Sequence, residues 1–286
     1  MNRPDIPAGA SGPWPAPAKL NLMLHVVGRR ADGYHELQTV FQFLTRSDWL
    51  YFDVDDQSGV RLAGQPAGVP GDADLCVRAA TLLRKATGCT GGVTIYNDKR
   101  LPIGGGLGGG SSDAATTLRV LNRLWGLDLP VAELARLGLA LGADVPVFIH
   151  GEAAWAEGVG EILIPVTPPE VWYLVLVPPV SISTAAVFSD PGLTRDTPRT
   201  KIPDLLSGEL RNDCEAVVRR SYPEVDAALD WLNRYSPARL TGTGACVFAA
   251  FDTEADAQRV AALRPASLAG FVTRGSNRSP LLSALE

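Results

Sequence analysis

Residues 102–115 read Pro-Ile-Gly-Gly-Gly-Leu-Gly-Gly-Gly-Ser-Ser-Asp-Ala-Ala. Six of these fourteen residues are glycine, and a helical apolar pattern begins at Ala114. Glycine lets the backbone approach a ligand closely, and the N–H groups at a helix start attract anions. Linkers rarely lie between a strand and an amphipathic helix, so the stretch predicts a phosphate-binding loop rather than a flexible connection.

Two common phosphate-binding patterns fit this loop poorly. A P-loop needs a lysine after its last glycine, but Gly109 is followed by Gly110. The dinucleotide pattern matches at Gly104, Gly106 and Gly109, yet so dense a glycine run matches many patterns by chance. Asp128 has the spacing of the required acid but falls between two predicted helices. A nicotinamide oxidoreductase is therefore disfavoured.

Alternation marks a strand upstream of the loop. Between Ala18 and Val26, leucine or valine occupies every second position from Leu20 onward. This period of two predicts a strand. Lys19 and Asn21, two residues apart, would then project from the same face.

Composition and charge narrow the class of protein. The chain has 286 residues, 46% hydrophobic and 20% charged, which suits two modest domains or one large one. Its net charge of −5 argues against general binding of nucleic acid or an anionic membrane. We therefore expect neither nucleic acid nor a membrane as partner.

The cysteines and histidines predict no metal centre. The four cysteines form no CxxC pair, and the three histidines are scattered along the chain. Unpaired cysteines suit a reducing cytosol, so we expect a cytoplasmic protein. Met1–Pro15 lacks the apolar core of a signal peptide and is predicted to be a disordered leader. No apolar run reaches the length of a membrane span.

Periodicity predicts mixed helices and strands along the rest of the chain, an α+β class. The expected strands are Thr39–Leu44, Trp49–Val54, Gly92–Asn97, Trp172–Val177, Ala245–Phe251 and Gly270–Arg274. The expected helices are Leu75–Ala86, Ala114–Trp125, Val131–Leu141, Cys214–Ser221, Val225–Tyr235 and Glu254–Leu263. Val145–Ile149 and Ala153–Trp155 are expected to be extended. A proline-rich break at Pro165–Pro169 is the predicted domain boundary.

Three segments in this order resemble the GHMP kinases: Pro17-Ala-Lys-Leu-Asn21, the glycine loop, and Leu240-Thr-Gly-Thr-Gly-Ala-Cys246. The resemblance implies a two-domain fold. Residues 16–165 would form a nucleotide-binding domain like the second domain of ribosomal protein S5, and residues 166–286 a ferredoxin-like domain. It also implies ATP-dependent phosphoryl transfer with Mg²⁺, in a site between the domains.

Three further motifs are similar to one branch of this family. They are Gly28-Arg-Arg-Ala-Asp-Gly-Tyr-His35, Asp98-Lys-Arg-Leu101 and Leu141-Gly-Ala-Asp-Val-Pro146. The implied substrate is diphosphocytidyl-methylerythritol, phosphorylated in non-mevalonate isoprenoid (terpenoid) biosynthesis. The alternatives are another GHMP kinase, or a nucleotide-binding module without catalysis.

The resemblance assigns roles to individual residues. Lys19 and Asp144 match the catalytic positions. ATP would contact Asp74, Leu75, Pro102, Ile103, Gly104, Gly105, Gly106, Leu107, Gly108, Gly109, Gly110, Ser111 and Ser112. The substrate would contact Asn21, Tyr34, His35, Lys99, Thr184 and Phe188, with Tyr34, His35 and Lys99 around the cytidine. Gly242 and Gly244 would form a second turn facing the first loop.

Asp74 departs from the family pattern, which commonly has asparagine there. An ionised aspartate only accepts hydrogen bonds, whereas asparagine also donates. The alternative is that Asp74 caps the helix that begins near Leu75, a role for which both residues are suited.

Overall fold

A computed structural model describes residues 4–31, 33–56, 59–63, 74–202 and 210–286. No helix in these ranges is both long and apolar enough to cross a membrane. Helices and strands are mixed throughout, which confirms the α+β class.

The first half of the chain begins with two long strands. β1 covers Ser11–Arg29 and β2 covers His35–Asp55. They are followed by β3 (Val60–Leu62), α1 (Leu75–Thr87), β4 (Gly92–Asp98), α2 (Gly109–Leu124), α3 (Val131–Leu139), α4 (Val145–His150), β5 (Ala154–Gly158) and β6 (Ile162–Pro165).

The second half alternates short strands with helices. Its elements are β7 (Trp172–Val177), α5 (Thr184–Ser189), α6 (Glu215–Ser221), α7 (Pro223–Asn233), β8 (Ala238–Leu240), β9 (Val247–Phe251), α8 (Glu254–Ala262), β10 (Ala269–Ser276) and α9 (Pro280–Leu285).

The strand β2 organises the sheet. One of its edges pairs with β1, from Arg29 opposite His35 to Ser11 opposite Phe52. Its other edge pairs in turn with β5, β10 and β4. Beyond β10 the order continues through β7 and β9 to β8, so among the described strands one sheet runs through both halves.

Three apolar cores pack against this sheet. The first lies between β1, β2 and β4 and the helices α1–α4, and the second between β7, β9 and the helices α6–α8. Successive residues of β7 face opposite ways: Leu174 is in the second core, while Tyr173 and Val175 belong to a third core with Leu20 of β1. The third core thereby joins the two halves.

The end of the chain returns to the first half. Leu281 of α9 is 1% exposed and belongs to the first core. The proposed division at residues 165/166 stays a prediction, because the shared sheet and α9 both connect the two sides.

The structure corrects several boundaries. Thr39–Leu44 and Trp49–Val54 are parts of one strand, β2. Of the predicted disordered leader, residues 1–3 lie outside the described ranges, but Ser11–Pro15 belong to β1. The pairing of Trp14 with Leu50 and its packing on the first core explain that order.

Val145–Ile149, expected to be extended, is the helix α4. All five of these residues are buried, and Pro146 occupies the first turn, where its ring suits a helix. α4 packs directly on α3: a Cβ placed on Gly138 would lie 2.7 Å from Val145 Cγ1. Burial on every side, rather than local preference, determines that this segment is helical.

Candidate active site

The glycine loop is a tight turn that leads straight into α2. Gly106 and Gly108 have φ of 77° and 72°, a region that favours glycine. α2 begins at Gly109, five residues before the sequence predicts, and Ser112 N donates to Gly108 O at 2.8 Å. The first N–H groups of a helix lack partners within it, so this end of α2 presents donors to an anion.

A second glycine turn, at Gly242 and Gly244, lies against the first. Cys246 N donates to Gly105 O at 3.1 Å, and the Thr241 hydroxyl donates to Gly106 O at 3.3 Å. A Cβ on Gly106 would lie 2.2 Å from Thr241 O, so no larger residue fits between the turns. The expectation that the second turn faces the first loop is confirmed.

Asn212 fixes the second turn from behind. Its side-chain amide donates to Leu240 O at 2.9 Å and to Gly242 O at 2.8 Å. Its Oδ1 accepts from Cys214 N at 2.9 Å, at the start of α6. The turn is therefore anchored on the second half of the chain.

Lys19 lies at the meeting point of these elements. It is only 2% exposed, and its Nζ donates to Asn21 Oδ1 at 2.6 Å and to Gly106 O at 2.9 Å. The same Nζ lies 3.2 Å from Asp144 Oδ2. Lys19 and Asn21 therefore share a face of β1, as the alternation predicts.

Asp144 immediately precedes α4. Among the described residues, its side chain accepts no hydrogen bond from the N–H groups at the start of that helix. Its carboxylate is 33% exposed and lines the cavity. An aspartate that only stabilised the turn would use its side chain on the helix N–H groups. The geometry instead directs Asp144 at Lys19 and at open space.

Asn21 is held by polar neighbours on both sides. Its backbone N–H donates to Thr241 Oγ1 at 3.0 Å, and its side-chain amide donates to Thr39 Oγ1 at 2.9 Å. The Thr39 hydroxyl in turn donates to Met23 O at 2.6 Å. This network fixes the Asn21 side chain whose Oδ1 accepts from Lys19.

A cavity of about 730 Å³ extends from the glycine loop to the turn between β1 and β2. Its lining includes both catalytic candidates, five of the six proposed substrate contacts and three of the proposed ATP contacts: Lys19, Asp144, Asn21, Tyr34, His35, Thr184, Phe188, Gly106, Gly108 and Ser111. Thr184 Oγ1 lies 2.9 Å from Thr243 Oγ1, next to the second turn. The cavity thus brings together residues that are far apart in sequence: Tyr34 lies 15 positions after Lys19, and Phe188 lies 169 positions after it.

Aromatic side chains form the far end of the cavity. His35 and Phe188 stack with ring centroids 5.0 Å apart, and Tyr34 is 65% exposed beside them. Burial, with the nearby Arg195 and Arg29, lowers the pKa of His35. The imidazole is therefore uncharged at neutral pH.

Arg195 is a residue that the sequence analysis missed. Its Nε donates to His35 Nε2 at 3.1 Å. An arginine 160 positions away along the chain, in no glycine or aspartate motif, gives no signal that could have identified it. Only the tertiary fold brings the two together.

Lys99 does not join the aromatic group to which the resemblance assigns it. Its Nζ donates to Asp48 Oδ2 at 2.5 Å and to Asp113 Oδ2 at 2.8 Å, and it does not line the cavity. Burial lowers the pKa of Lys99, but Asp113 and Asp48 outweigh it, so the net shift is upward. Two buried carboxylates hold Lys99 beneath the start of α2, apart from the aromatic side chains, so its contact with the cytidine stays a prediction that this geometry does not support.

The remaining nucleotide contacts divide into exposed and buried groups. Ile103 is 71% exposed, and a Cβ on Gly110 would lie 3.2 Å from Leu75 Cδ1, so Leu75 lies beside the loop. The side chains of Leu107 and Ser112 are buried, and the Ser112 hydroxyl has no partner among the described residues. These two side chains face inward, and their contact with ATP stays a prediction.

Asp74 caps α1. Its Oδ1 accepts from Cys76 N at 2.8 Å, the geometry of a helix cap. This supports the capping role, and it leaves one carboxylate oxygen of Asp74 for other contacts.

Comparisons with known proteins point to the family that the sequence motifs resemble. Residues 74–152 match the model of the GHMP kinases N terminal domain, and residues 199–263 match that of the GHMP kinases C terminal. The chain is 60% identical over 272 residues to the 4-diphosphocytidyl-2-C-methyl-D-erythritol kinase of Pseudomonas savastanoi pv. phaseolicola, covering 95% of this chain and 94% of the relative. Over 269 residues it is 57% identical to the kinase of the same name from Shewanella loihica, covering 94% and 95%.

Solved structures agree with these relatives. A crystal structure of 4-(cytidine 5'-diphospho)-2C-methyl-D-erythritol kinase is similar with a TM-score of 0.79 and 34% identity, over 92% of this chain and 98% of the other. A mevalonate kinase is similar in fold alone, with a TM-score of 0.70 and 17% identity over 94% and 100%. The predicted two-domain fold is confirmed, and the chain belongs to the GHMP kinase family.

Proposed function

We propose that this chain transfers the γ-phosphoryl group of ATP to the 2-hydroxyl of 4-diphosphocytidyl-2-C-methyl-D-erythritol, giving the 2-phosphate and ADP in the non-mevalonate isoprenoid pathway. The observation that carries the proposal is one cavity that holds the Lys19–Asp144 pair at one end and the Tyr34, His35 and Phe188 side chains at the other. The relatives of that name, at about 60% identity along nearly the whole chain, support it.

The phosphates of ATP would lie on the glycine loop. The backbone from Gly104 to Ser111 and the helix start at Gly109 supply N–H groups and a positive dipole end. Leu75, next to Gly110, and the exposed Ile103 would contact the adenine. These residues suit the phosphates of ATP, because the glycines expose backbone N–H donors that no side chain covers.

Mg²⁺ would neutralise charge on the phosphates, and we expect the phosphate oxygens to hold most of it. No group of three or more His, Cys, Asp or Glu suited to a metal occurs in the described ranges. Ser111 and Asp144 line the cavity, and their side chains would complete its coordination. The proposal therefore requires no separate metal cage.

Phosphoryl transfer depends mainly on positioning and on stabilising charge. Asp144, open to the cavity, would orient the 2-hydroxyl and take its proton as the oxygen attacks. Lys19, buried and fixed by Asn21 and Gly106, would stabilise the charge on the moving phosphoryl group. Because its ammonium is already held in place, little rearrangement is needed during transfer.

The aromatic end of the cavity would receive the cytosine. Tyr34 is exposed enough to stack on a base, and Phe188 lies against His35. Peptide groups near His35 would read the hydrogen-bonding edge of the base. Mevalonate and homoserine carry no base, so this end of the cavity distinguishes the proposed substrate from those of other GHMP kinases.

A cytoplasmic location fits the reaction. All four cysteines are free, including the buried Cys76, Cys214 and Cys246. Free thiols are the usual state in a reducing compartment. We therefore propose that the chain acts in the cytoplasm.

A coupled ADP-release assay tests the function. Purified protein is offered diphosphocytidyl-methylerythritol, mevalonate and homoserine in parallel, each with ATP and Mg²⁺. We expect ADP release with the first substrate alone, and a product phosphorylated at the 2-hydroxyl by ³¹P NMR. Equal or faster turnover of mevalonate or homoserine would assign another GHMP activity, and ATP binding without turnover of any substrate would favour a non-catalytic module.

A further inference from the structure

We propose that Arg195 is a positioning residue for the base-binding end of the cavity, which fixes the tautomer of His35 and holds Phe188 against it. The claim that this end receives a base rests on the proposed function. The claim about His35 rests on the geometry alone, and the two are separable by experiment.

The guanidinium of Arg195 is committed to four acceptors. Its Nε donates to His35 Nε2 at 3.1 Å, and its Nη1 donates to Leu193 O at 3.0 Å. Its Nη2 donates to Phe188 O at 2.9 Å and to Asp190 O at 2.8 Å. Arg195 thus clamps the end of α5 and the turn that follows it onto the first residue of β2.

The contact determines where the imidazole carries its proton. A guanidinium only donates and stays charged at any pH relevant to proteins. His35 Nε2 must therefore accept, so the ring is uncharged and its proton is on Nδ1. A fixed tautomer presents one defined donor, which a ring free to exchange protons between its nitrogens would not.

The surrounding charges favour this state. Burial is the main cause that lowers the pKa of His35, and Arg195, from the segment after α5, and Arg29, opposite His35 on β1, lower it further. Two acids described near this site are engaged elsewhere: Glu36 pairs with Arg199 at 2.5 Å, and Asp190 Oδ1 accepts from Arg220 at 2.7 Å. Removal of Arg195 takes away one lowering charge, so the pKa of His35 should rise toward 6.5.

The stacking geometry depends on the same residue. His35 and Phe188 lie 5.0 Å apart with an interplanar angle of 26°, although they come from opposite halves of the chain. Arg195 binds the ring of one and the backbone carbonyl of the other. Without it the two rings lose their common anchor, and the subsite has to be ordered when substrate binds.

The experiment compares Arg195→Ala and Arg195→Lys with the wild type. Arg220→Ala is the matched control, because Arg220 contacts the same turn through Asp190 and not His35. Substrate KM, ATP KM and kcat are measured between pH 5.5 and 8. The tautomer of His35 is read by ¹⁵N NMR of the free protein, with His35→Gln to assign its signal among the three histidines.

We expect Arg195→Ala to raise the KM for the cytidylyl substrate about 10- to 100-fold, the usual effect of losing a hydrogen bond from a charged group. ATP KM and kcat should not change. As the pH is lowered, the substrate KM should start to rise at a higher pH in Arg195→Ala than in the wild type, because the pKa of His35 is higher in the variant. Arg195→Lys, which lacks the planar fork, should resemble the alanine variant more than the wild type, and Arg220→Ala should match the wild type.

A wild-type spectrum with the proton on Nε2 would overturn the proposal, whether or not the variants fold. So would an Arg195→Ala protein whose substrate KM and His35 signals are those of the wild type, or an equal KM effect in Arg220→Ala. If the wild type does not phosphorylate the cytidylyl substrate, the proposed function fails, while the NMR result still decides the state of His35.

Discussion

Lys19 and Lys99 both lie beside the glycine loop and both form an ion pair with aspartate, but the two aspartates differ in their exposure. Asp144 is 33% exposed and faces the cavity from the start of α4. Asp48 is fully buried: its Oδ1 accepts from Arg100 N at 2.5 Å and Leu101 N at 2.7 Å, and its Oδ2 binds Lys99. One carboxylate has room to exchange a proton with a ligand, and the other has none.

Both lysines form ion pairs with aspartate, so what marks one pair as suited to reaction is a carboxylate that is open to the cavity. In the Lys19–Asp144 pair the carboxylate keeps an open side toward the cavity. In the cluster of Lys99 with Asp48 and Asp113, every described contact is internal to the fold, and the cluster ties the chain after β4 to the start of α2. The first pair is suited to chemistry and the second to holding the loop in place.

The largest effect should follow from Asp144→Asn. We expect kcat to fall about 10²- to 10⁴-fold, the usual contribution of a positioned base, because the amide cannot take the proton of the attacking hydroxyl. The dissociation constant for ATP should stay near that of the wild type. Turnover is measured by ADP release and ATP binding by calorimetry, and wild-type kcat in the folded variant would remove Asp144 from the reaction.

Lys99→Met should instead cost stability. It leaves Asp48 and Asp113 buried without their cation, and breaking a buried ion pair typically costs about 3–5 kcal/mol. Urea unfolding measures this, with Lys85→Met at an exposed position of α1 as the control. The KM of the folded enzyme for the cytidylyl substrate should not change. A selective rise in that KM would return Lys99 to the base-binding end and erase the contrast between the two lysines.

Asp113→Asn tests the same cluster through pH. Burial raises the pKa of Asp113 to about 7, with Lys99 opposing and Asp48 adding to the shift. The folded protein therefore keeps a proton that the unfolded chain releases, and wild-type stability falls as pH rises from about 4 to about 7. Asparagine cannot titrate, so over this window the variant should gain stability relative to the wild type by up to about 1.4 kcal/mol per pH unit. Parallel curves in denaturant at pH 5 and pH 8 would contradict the assignment.

The smallest effect is expected at Asp74. Asparagine would keep the cap on Cys76 N through its oxygen and place an amide donor where Asp74 has its second oxygen. We expect Asp74→Asn to tighten ATP binding by about 0.5–1.5 kcal/mol, the net contribution of one hydrogen bond, and to improve GTP binding less. Titration of both nucleotides against both proteins checks this. Equal ATP dissociation constants would leave Asp74 as a helix cap alone.

The sequence predicts the parts of this site that depend on local pattern. Lys19 and Asn21 share a face because strand side chains alternate, and Trp172–Val177 is the strand that its apolar run predicts. The sequence places the start of α2 too late, because glycine is a poor helix former and Gly109 and Gly110 give no helical signal.

Features that depend on contacts between distant residues could not be predicted from local sequence pattern. The run Val145–Ile149 is too short for periodicity to separate strand from helix, and its packing on α3 decides. Lys99 is a charged loop residue in sequence, and its role is set by Asp48, which lies 51 positions earlier. The contact of Arg195 with His35 spans 160 positions and follows no local pattern.

The return of the chain end to the first core has a consequence for folding order. Ser279 N donates to Gly151 O at 2.8 Å, Ala153 N donates to Asn277 O at 2.8 Å, and Leu281 fills the first core. Domains commonly fold during synthesis from the N-terminal side. Here the first core cannot be completed until residues 277–285 have left the ribosome, so the first half of the chain gains its full packing only after the second half has been made.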